Sequence, residues 1–291
     1  MNGSLHEILE KLAGLKIIGR VEEMAVEAAK GTTEGQVFIL SRNGVPSYVL
    51  KLEEAEYTRE TAQFLIRYAE AYLLPKLLYV DPEHRYLLYE YQDGTTHVNR
   101  GGKKDWMSEL ARGLLNHYKL EQSFQGYGRP DSPCESWREF NGRSLVFASE
   151  RIGDYLPAKD HELVERVWKE KLRDWGEEDK YWLHGDTGVH NFVFDEDKMT
   201  GVIDPSPIAG PILYDFTYAF CSSPDDLNVE TLLGAYNELN IRTVEPGEVI
   251  LETAFQLYCR IAICLMHHPE DLPAYLEAWP LWAAMAEELT S

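Results

Sequence analysis

The chain has 291 residues, 44% of them apolar and 26% charged, an ordinary globular balance and enough length for two lobes around a cleft. That composition excludes a disordered acidic tail, a collagen-like repeat and a disulfide-stapled miniprotein. Lys and Arg number 28 against 49 Asp and Glu, a formal net charge of −21. So acidic a surface repels phosphate backbones and anionic membranes, and neither nucleic acid nor a membrane is expected as a partner. The same charge suits a cationic small molecule and serves solubility equally well.

The N-terminus reads as an amphipathic helix with Leu5, Ile8, Leu9 and Leu12 on one side, not as a secretory leader. Residues 22–29, 37–41 and 48–52 carry strand formers, and Asn43-Gly44 predicts a tight hairpin between the last two. A helix follows, capped by Thr58, with Ala62, Leu65, Ile66, Ala69 and Leu73 at helical spacing and Pro75 beyond its end. Two short strands, 76–80 and 85–91, complete a sheet-rich N-terminal part. The segment 93–96 breaks the pattern, so the chain divides into lobes 1–92 and 93–291. The second lobe reads as mostly helical, with helices at 105–120, 161–175, 213–221, 230–239, 246–267 and 272–289 and two short strands near 191–194 and 201–203. No apolar run looks long enough to span a bilayer. The cysteines, Cys134, Cys221, Cys259 and Cys264, form no C-x-x-C pair and read as buried reduced thiols. The expectation is a soluble cytoplasmic protein, monomer or homodimer.

The most informative stretch begins at Tyr181. It holds His184-Gly185-Asp186, Asn191 five residues after the Asp, and Asp204 at the end of an apolar strand 18 residues after it. This set of side chains would suffice for phosphoryl transfer. Magnesium takes hard oxygen ligands, which a carboxylate and an amide supply together with nucleotide phosphates. A separate carboxylate must orient the acceptor hydroxyl and take its proton.

With Gly210 and Asp215 further on, this stretch resembles the catalytic core of the aminoglycoside phosphotransferase family, relatives of protein kinases and choline kinases. The resemblance implies an α+β, bilobal protein-kinase-like fold, with a small antiparallel five-stranded N-lobe and a mostly helical C-lobe. It implies that Asp186 is the catalytic base, that Asn191 and Asp204 hold Mg2+, that His184 supports the loop and that Asp215 braces its backbone. In the N-lobe, Lys51 would steady the α- and β-phosphates of ATP. Glu60 would hold its ammonium, with Glu53 and Glu56 as other candidates. Gly31, Thr32, Thr33 and Gly35 would cover the phosphates, although the same segment reads as an ordinary hairpin turn. The backbone of Glu90, Tyr91 and Gln92 resembles the family's adenine-binding hinge.

Two departures stand out. His190 and Gly188 replace the family's usual order of His and Gly in the loop, and Gly210-Pro211 replaces Gly-Asp. The implied activity is an ATP- and magnesium-dependent transfer of the γ-phosphate to a hydroxyl of a small molecule such as an aminoglycoside-like antibiotic. Choline, an amino sugar, homoserine and methylthioribose are alternative acceptors, and a nucleotide-binding pseudokinase is an alternative of another class. Asp225, Asp226, Glu252, Tyr258, Glu277, Trp279 and Trp282 are candidates for the acceptor pocket. Each reads better, taken singly, as a helical core aromatic or a solvated acid.

Overall fold

In the computed structural model, residues 3–29, 36–96, 98–240 and 244–291 are described. The strands β1 (Met24–Ala28), β2 (Gln36–Arg42) and β3 (Val45–Leu52) form an antiparallel meander. Asn43 and Gly44 turn between β2 and β3 at φ 52° and 79°, the left-handed pair that a tight hairpin requires. With β4 (Leu77–Val80) and β5 (Tyr86–Glu90) they make a five-stranded antiparallel sheet, ordered β1-β2-β3-β5-β4.

Alternation assigns the two faces of this sheet. Leu40, Leu50, Tyr86 and Leu88 meet Leu5, Leu9 and Leu12 of helix α1 (Gly3–Gly14) on the outer face. Val49, Leu87 and Tyr89 face Phe64 and Leu65 of helix α2 (Ala55–Arg67) and the main core. Full burial of residues such as Leu9 and Leu12 stabilises the lobe by about 1.5–3 kcal/mol each. Helix α2 starts earlier than expected, after Glu54, and Thr58 is a buried residue inside it instead of its cap.

In the second lobe, β6 (Thr95–Thr96) pairs with β8 (Phe192–Asp195), and β8 pairs with β9 (Lys198–Val202). A two-stranded sheet joins β7 (Tyr181–Leu183) to β10 (Ile208–Gly210). These small sheets frame the His184–Asp204 segment. Around them lie α3 (Lys103–Gly113), α4 (Trp137–Ile152), α5 (Ala158–Arg166), α6 (Ile212–Cys221), α7 (Val229–Tyr236), α8 (Pro246–His267) and α9 (Leu272–Thr290). Two expected helices are broken. That at 105–120 ends at Gly113 and continues as a 3-10 turn, Leu115–His117. That at 161–175 passes into a π turn, Val167–Lys171. Helix α4 was not expected at all.

Pro246 at the first turn and the Glu248 carboxylate, which accepts the Glu245 N–H at 3.3 Å, start α8 where the sequence predicts. By length and composition α8 is apolar enough to cross a membrane, contrary to the reading of the apolar runs as too short. In this fold 67% of that apolar window is packed inside the molecule, where α8 meets α4, α6 and α9.

Candidate active site

The His184–Asp186 turn is set by local geometry. Gly185 has φ +78°, and a Cβ there would collide with the Ser206 carbonyl. That closeness has a cause, since Ser206 N–H donates to the His184 carbonyl at 2.9 Å. The imidazole of His184 is fully buried, and burial pushes it down to about 4. It is therefore neutral near pH 7. Its Nε2 faces the Ile203 carbonyl at 3.1 Å, and its Nδ1 faces the Asp186 N–H at 3.3 Å. A carbonyl can only accept, so Nε2 carries the proton and Nδ1 accepts.

Asp215, in the first turn of α6, braces the same turn. Its carboxylate accepts from His184 N–H at 2.9 Å, Gly185 N–H at 3.1 Å and the Tyr118 hydroxyl at 2.6 Å. Burial pushes its carboxyl up to about 7, against the pull of those donors. The Thr187 hydroxyl closes the loop by donating to the Asp215 carbonyl at 2.7 Å. Trp137 of α4 lies against Gly210 just before α6, where a side chain would leave it no room.

Asp186 is half-buried and held from three sides. Its Oδ1 accepts from the Tyr218 hydroxyl at 3.2 Å, while its Oδ2 accepts from Asn191 Nδ2 at 3.0 Å and lies 3.3 Å from His190 Nε2. Burial opposes charge on this carboxylate, but His190, His184 and Tyr218 outweigh it and hold the pKa below its usual value. Asn191 also donates to the Asp186 carbonyl at 3.0 Å, which leaves its amide oxygen outside these bonds. The Ile203 N–H donates to the Asn191 carbonyl at 2.9 Å, so the residue before Asp204 is tied to the loop that carries Asp186. Asp204 has φ 60° and an exposed carboxylate. The two oxygen-bearing side chains thus sit on adjoining, hydrogen-bonded segments. This fits a hard cation that keeps part of its water. Among the described residues no group of three or more His, Cys, Asp or Glu gathers as a metal cluster, so any such ion would depend on an amide and ligand oxygens as well.

Lys51 reaches this site from the N-lobe. Its ammonium contacts Asp204 Oδ1 and lies 2.7 Å from Glu53 Oε1. Burial alone would lower its pKa, but the Asp204 and Glu53 carboxylates outweigh burial and raise it. The pairing with Glu60 drawn from the resemblance is not formed. Glu60 is half-buried with Glu56, Asp131, Arg59 and Arg129 as its charged neighbours. Thr61, Leu65, Pro75, Tyr89 and Pro205 line the narrow recess behind Lys51 instead.

Gly31, Thr32, Thr33 and Gly35 lie outside the described residues. The strands on either side of them pair up to Ala28 and Phe38. At the expected hinge, Glu90 N–H donates to Lys76 O at 2.9 Å and Tyr91 N–H to Ser47 O at 3.0 Å. The Gln92 amide donates to Leu73 O at 3.2 Å and packs on Gly201, which has no side chain to exclude it.

The acceptor-pocket candidates are mostly spent on the core. Asp225 pairs with Arg100 at 2.8 Å, and Tyr258 OH meets His161 Nδ1 at 2.6 Å. Trp279 Nε1 donates to Asp160 at 2.7 Å and Trp282 Nε1 to Leu227 O at 3.1 Å. Glu252 is buried in α8. Beside Asp186 stand Tyr218 and His190. Tyr218 escaped the sequence reading because it lies past Asp215 in the apolar run of α6, at a position to which no motif spacing pointed.

No curated sequence relative matches the chain. Solved structures match over nearly its whole length. A candidate fructosamine-3-kinase from Thermobifida fusca is 17% identical, with 97% of this chain and 98% of that one covered at a TM-score of 0.58. A choline/ethanolamine kinase family protein from Mesorhizobium loti is 17% identical, with 98% and 94% covered at 0.55. A thermostable mutant of the aminoglycoside phosphotransferase APH(4)-Ia, in a ternary complex with AMP-PNP and hygromycin B, is 14% identical, with 98% of each chain covered at 0.55. At such identities these likenesses show a shared fold, the bilobal kinase-like α+β architecture. The family model described as phosphotransferase enzyme family matches residues 25–247. That span takes in the five-stranded sheet, the Asp186 loop and Asp204, and the protein belongs to this phosphotransferase family.

Proposed function

We propose that the protein transfers the γ-phosphate of ATP to a hydroxyl of a small molecule, with magnesium, across a cleft between lobes 1–92 and 93–291. The observation that carries this reading is the Asp186–Asn191–Ile203 hydrogen-bonded unit, which Lys51 meets at Asp204 from the other lobe. Asp186 orients the acceptor hydroxyl and takes its proton as the oxygen attacks phosphorus. Its depressed pKa keeps it ionised and able to accept. Asn191 fixes the carboxylate through Nδ2, and Tyr218 fixes its other oxygen. Asn191 and Asp204 would hold magnesium, which when bound neutralises charge on the β- and γ-phosphates. Lys51 steadies the nucleotide phosphates. With two hinge N–H groups already engaged in the sheet, adenine would be read by carbonyls of 90–92 and the Gln92 N–H.

The acceptor class is supported by the fold neighbours, one holding hygromycin B and another of the choline/ethanolamine kinase family, and not by the acidic and aromatic candidates. Calorimetry with AMP-PNP tests the nucleotide half of the reading. The wild type should bind it with magnesium, and Asp204→Ala should lose about tenfold or more in magnesium-dependent affinity. Equal affinity in the two proteins contradicts the role given to Asp204.

A further inference from the structure

Resting on the phosphotransferase reading above, we propose that Glu53, and no glutamate of α2, is the positioning residue that holds the Lys51 ammonium for the nucleotide phosphates. Lys51 Nζ and Glu53 Oε1 are 2.7 Å apart, with side chains only 7% and 11% exposed. The spacing accounts for the meeting. Val49 and Lys51 alternate onto the sheet face that α2 covers, and Glu53, the first residue past the strand's end at Leu52, brings its carboxylate to the ammonium two residues on.

The phase of α2 accounts for the rest. Its buried residues are Thr58, Thr61, Ala62, Phe64 and Leu65, which puts Thr61 opposite Lys51. Glu60 is one residue, or about 100°, around the helix, among the charges of Arg129 and Asp131. Thr61 donates its hydroxyl to the Pro205 carbonyl at 3.5 Å and brings no charge. An ammonium this enclosed needs a carboxylate partner. Asp204 is the other carboxylate in contact, and it is the one assigned to a cation. Once Asp204 is so engaged, Glu53 keeps Lys51 aimed.

This arrangement has a mechanical consequence. A lysine held from a helix loses its partner when the helix swings. Here Lys51 lies in β3 and Glu53 is the first residue past its end at Leu52, so the pair is set where the strand ends and not by the side of α2.

Calorimetry tests the proposal without an acceptor. Mg-ADP and adenosine are titrated separately into the wild type, Glu53→Gln, Glu53→Asp and Glu60→Gln. Glu53→Gln should weaken Mg-ADP about tenfold or more and leave adenosine within about twofold, because Lys51 serves the phosphates alone. Glu53→Asp, which keeps the charge with a shorter reach, should fall between. Glu60→Gln should match the wild type within about twofold for both ligands. Wild-type Mg-ADP affinity in Glu53→Gln, equal loss of both ligands, or the loss appearing in Glu60→Gln overturns the proposal. Should Glu53→Gln not fold, wild-type Mg-ADP affinity in Glu53→Asp overturns it. A wild-type protein that binds neither ligand contradicts the phosphotransferase reading itself, a distinguishable result.

Discussion

At the scale of single residues, the site depends on positions that tolerate little change. Gly185 is the clearest. Any Cβ would meet the Ser206 carbonyl in a backbone conformation that side chains rarely adopt. Gly185→Ala should therefore lower activity at least about tenfold, with a reduced melting temperature, and an unchanged rate would contradict the turn geometry. Glu252 illustrates a charge problem outside the site. Buried in α8, its carboxyl is pushed up to about 7 by desolvation. A raised pKa gives stability that is full below the ordinary carboxylate range and lost as pH rises through about 7. Glu252→Gln should therefore be more stable than the wild type at pH 8, by about 3 kcal/mol at most, and show little gain at pH 5. Denaturant midpoints at the two pH values check this, and an equal gain at both would contradict it.

At the scale of elements, α1 is fastened to the sheet by charge as well as by leucines. Asp81, in the β4–β5 turn, has a fully buried side chain that accepts from Arg85 Nε at 2.8 Å and Lys11 Nζ of α1 at 2.9 Å. Those partners hold its carboxyl well below the usual range. A depressed pKa gives stability present above the unfolded value and lost as pH falls, so this clasp should weaken only in acid. Asp81→Asn should lower the melting temperature at pH 7 by about 3 °C or more, and an unchanged value would contradict the clasp. The β2–β3 hairpin and the Asp186 loop were legible in the sequence because short-range rules govern them, a left-handed Asn-Gly turn and a fixed spacing of polar residues. The phase of α2 was legible in part. Ala62 and Leu65 are buried as their spacing predicts, but Ile66 is exposed, and the buried face also uses Thr58 and Thr61, which are not apolar. The pairing of Lys51 with Glu60 was drawn from the resemblance, and the observed phase of α2 puts Thr61 at that place instead. Helix α4 was hidden for a similar reason, since Asn141 is buried in it while Val146 is exposed.

At the scale of the whole molecule, the two lobes divide the work. The sheet brings Lys51 and Glu53 from one side, while the small β-sheets and α6 hold Asp186, Asn191 and Asp204 on the other. Nothing local in the sequence fixed that meeting. Lys51 and Asp204 are 153 residues apart, and only the packed fold brings them into contact. Helices α8 and α9 close the second lobe around Tyr258, Tyr275, Trp279 and Trp282, while Asp226 and Glu277 of the residues first considered for the acceptor are exposed on its surface. The most direct measurement is magnesium-dependent ADP release with aminoglycosides, choline and amino sugars as acceptors, comparing the wild type with Asp186→Ala. At least one hydroxyl acceptor should raise the wild-type rate above background, and Asp186→Ala should lose about 100-fold or more of that increase while still binding AMP-PNP. Turnover at the wild-type rate in Asp186→Ala would contradict the account.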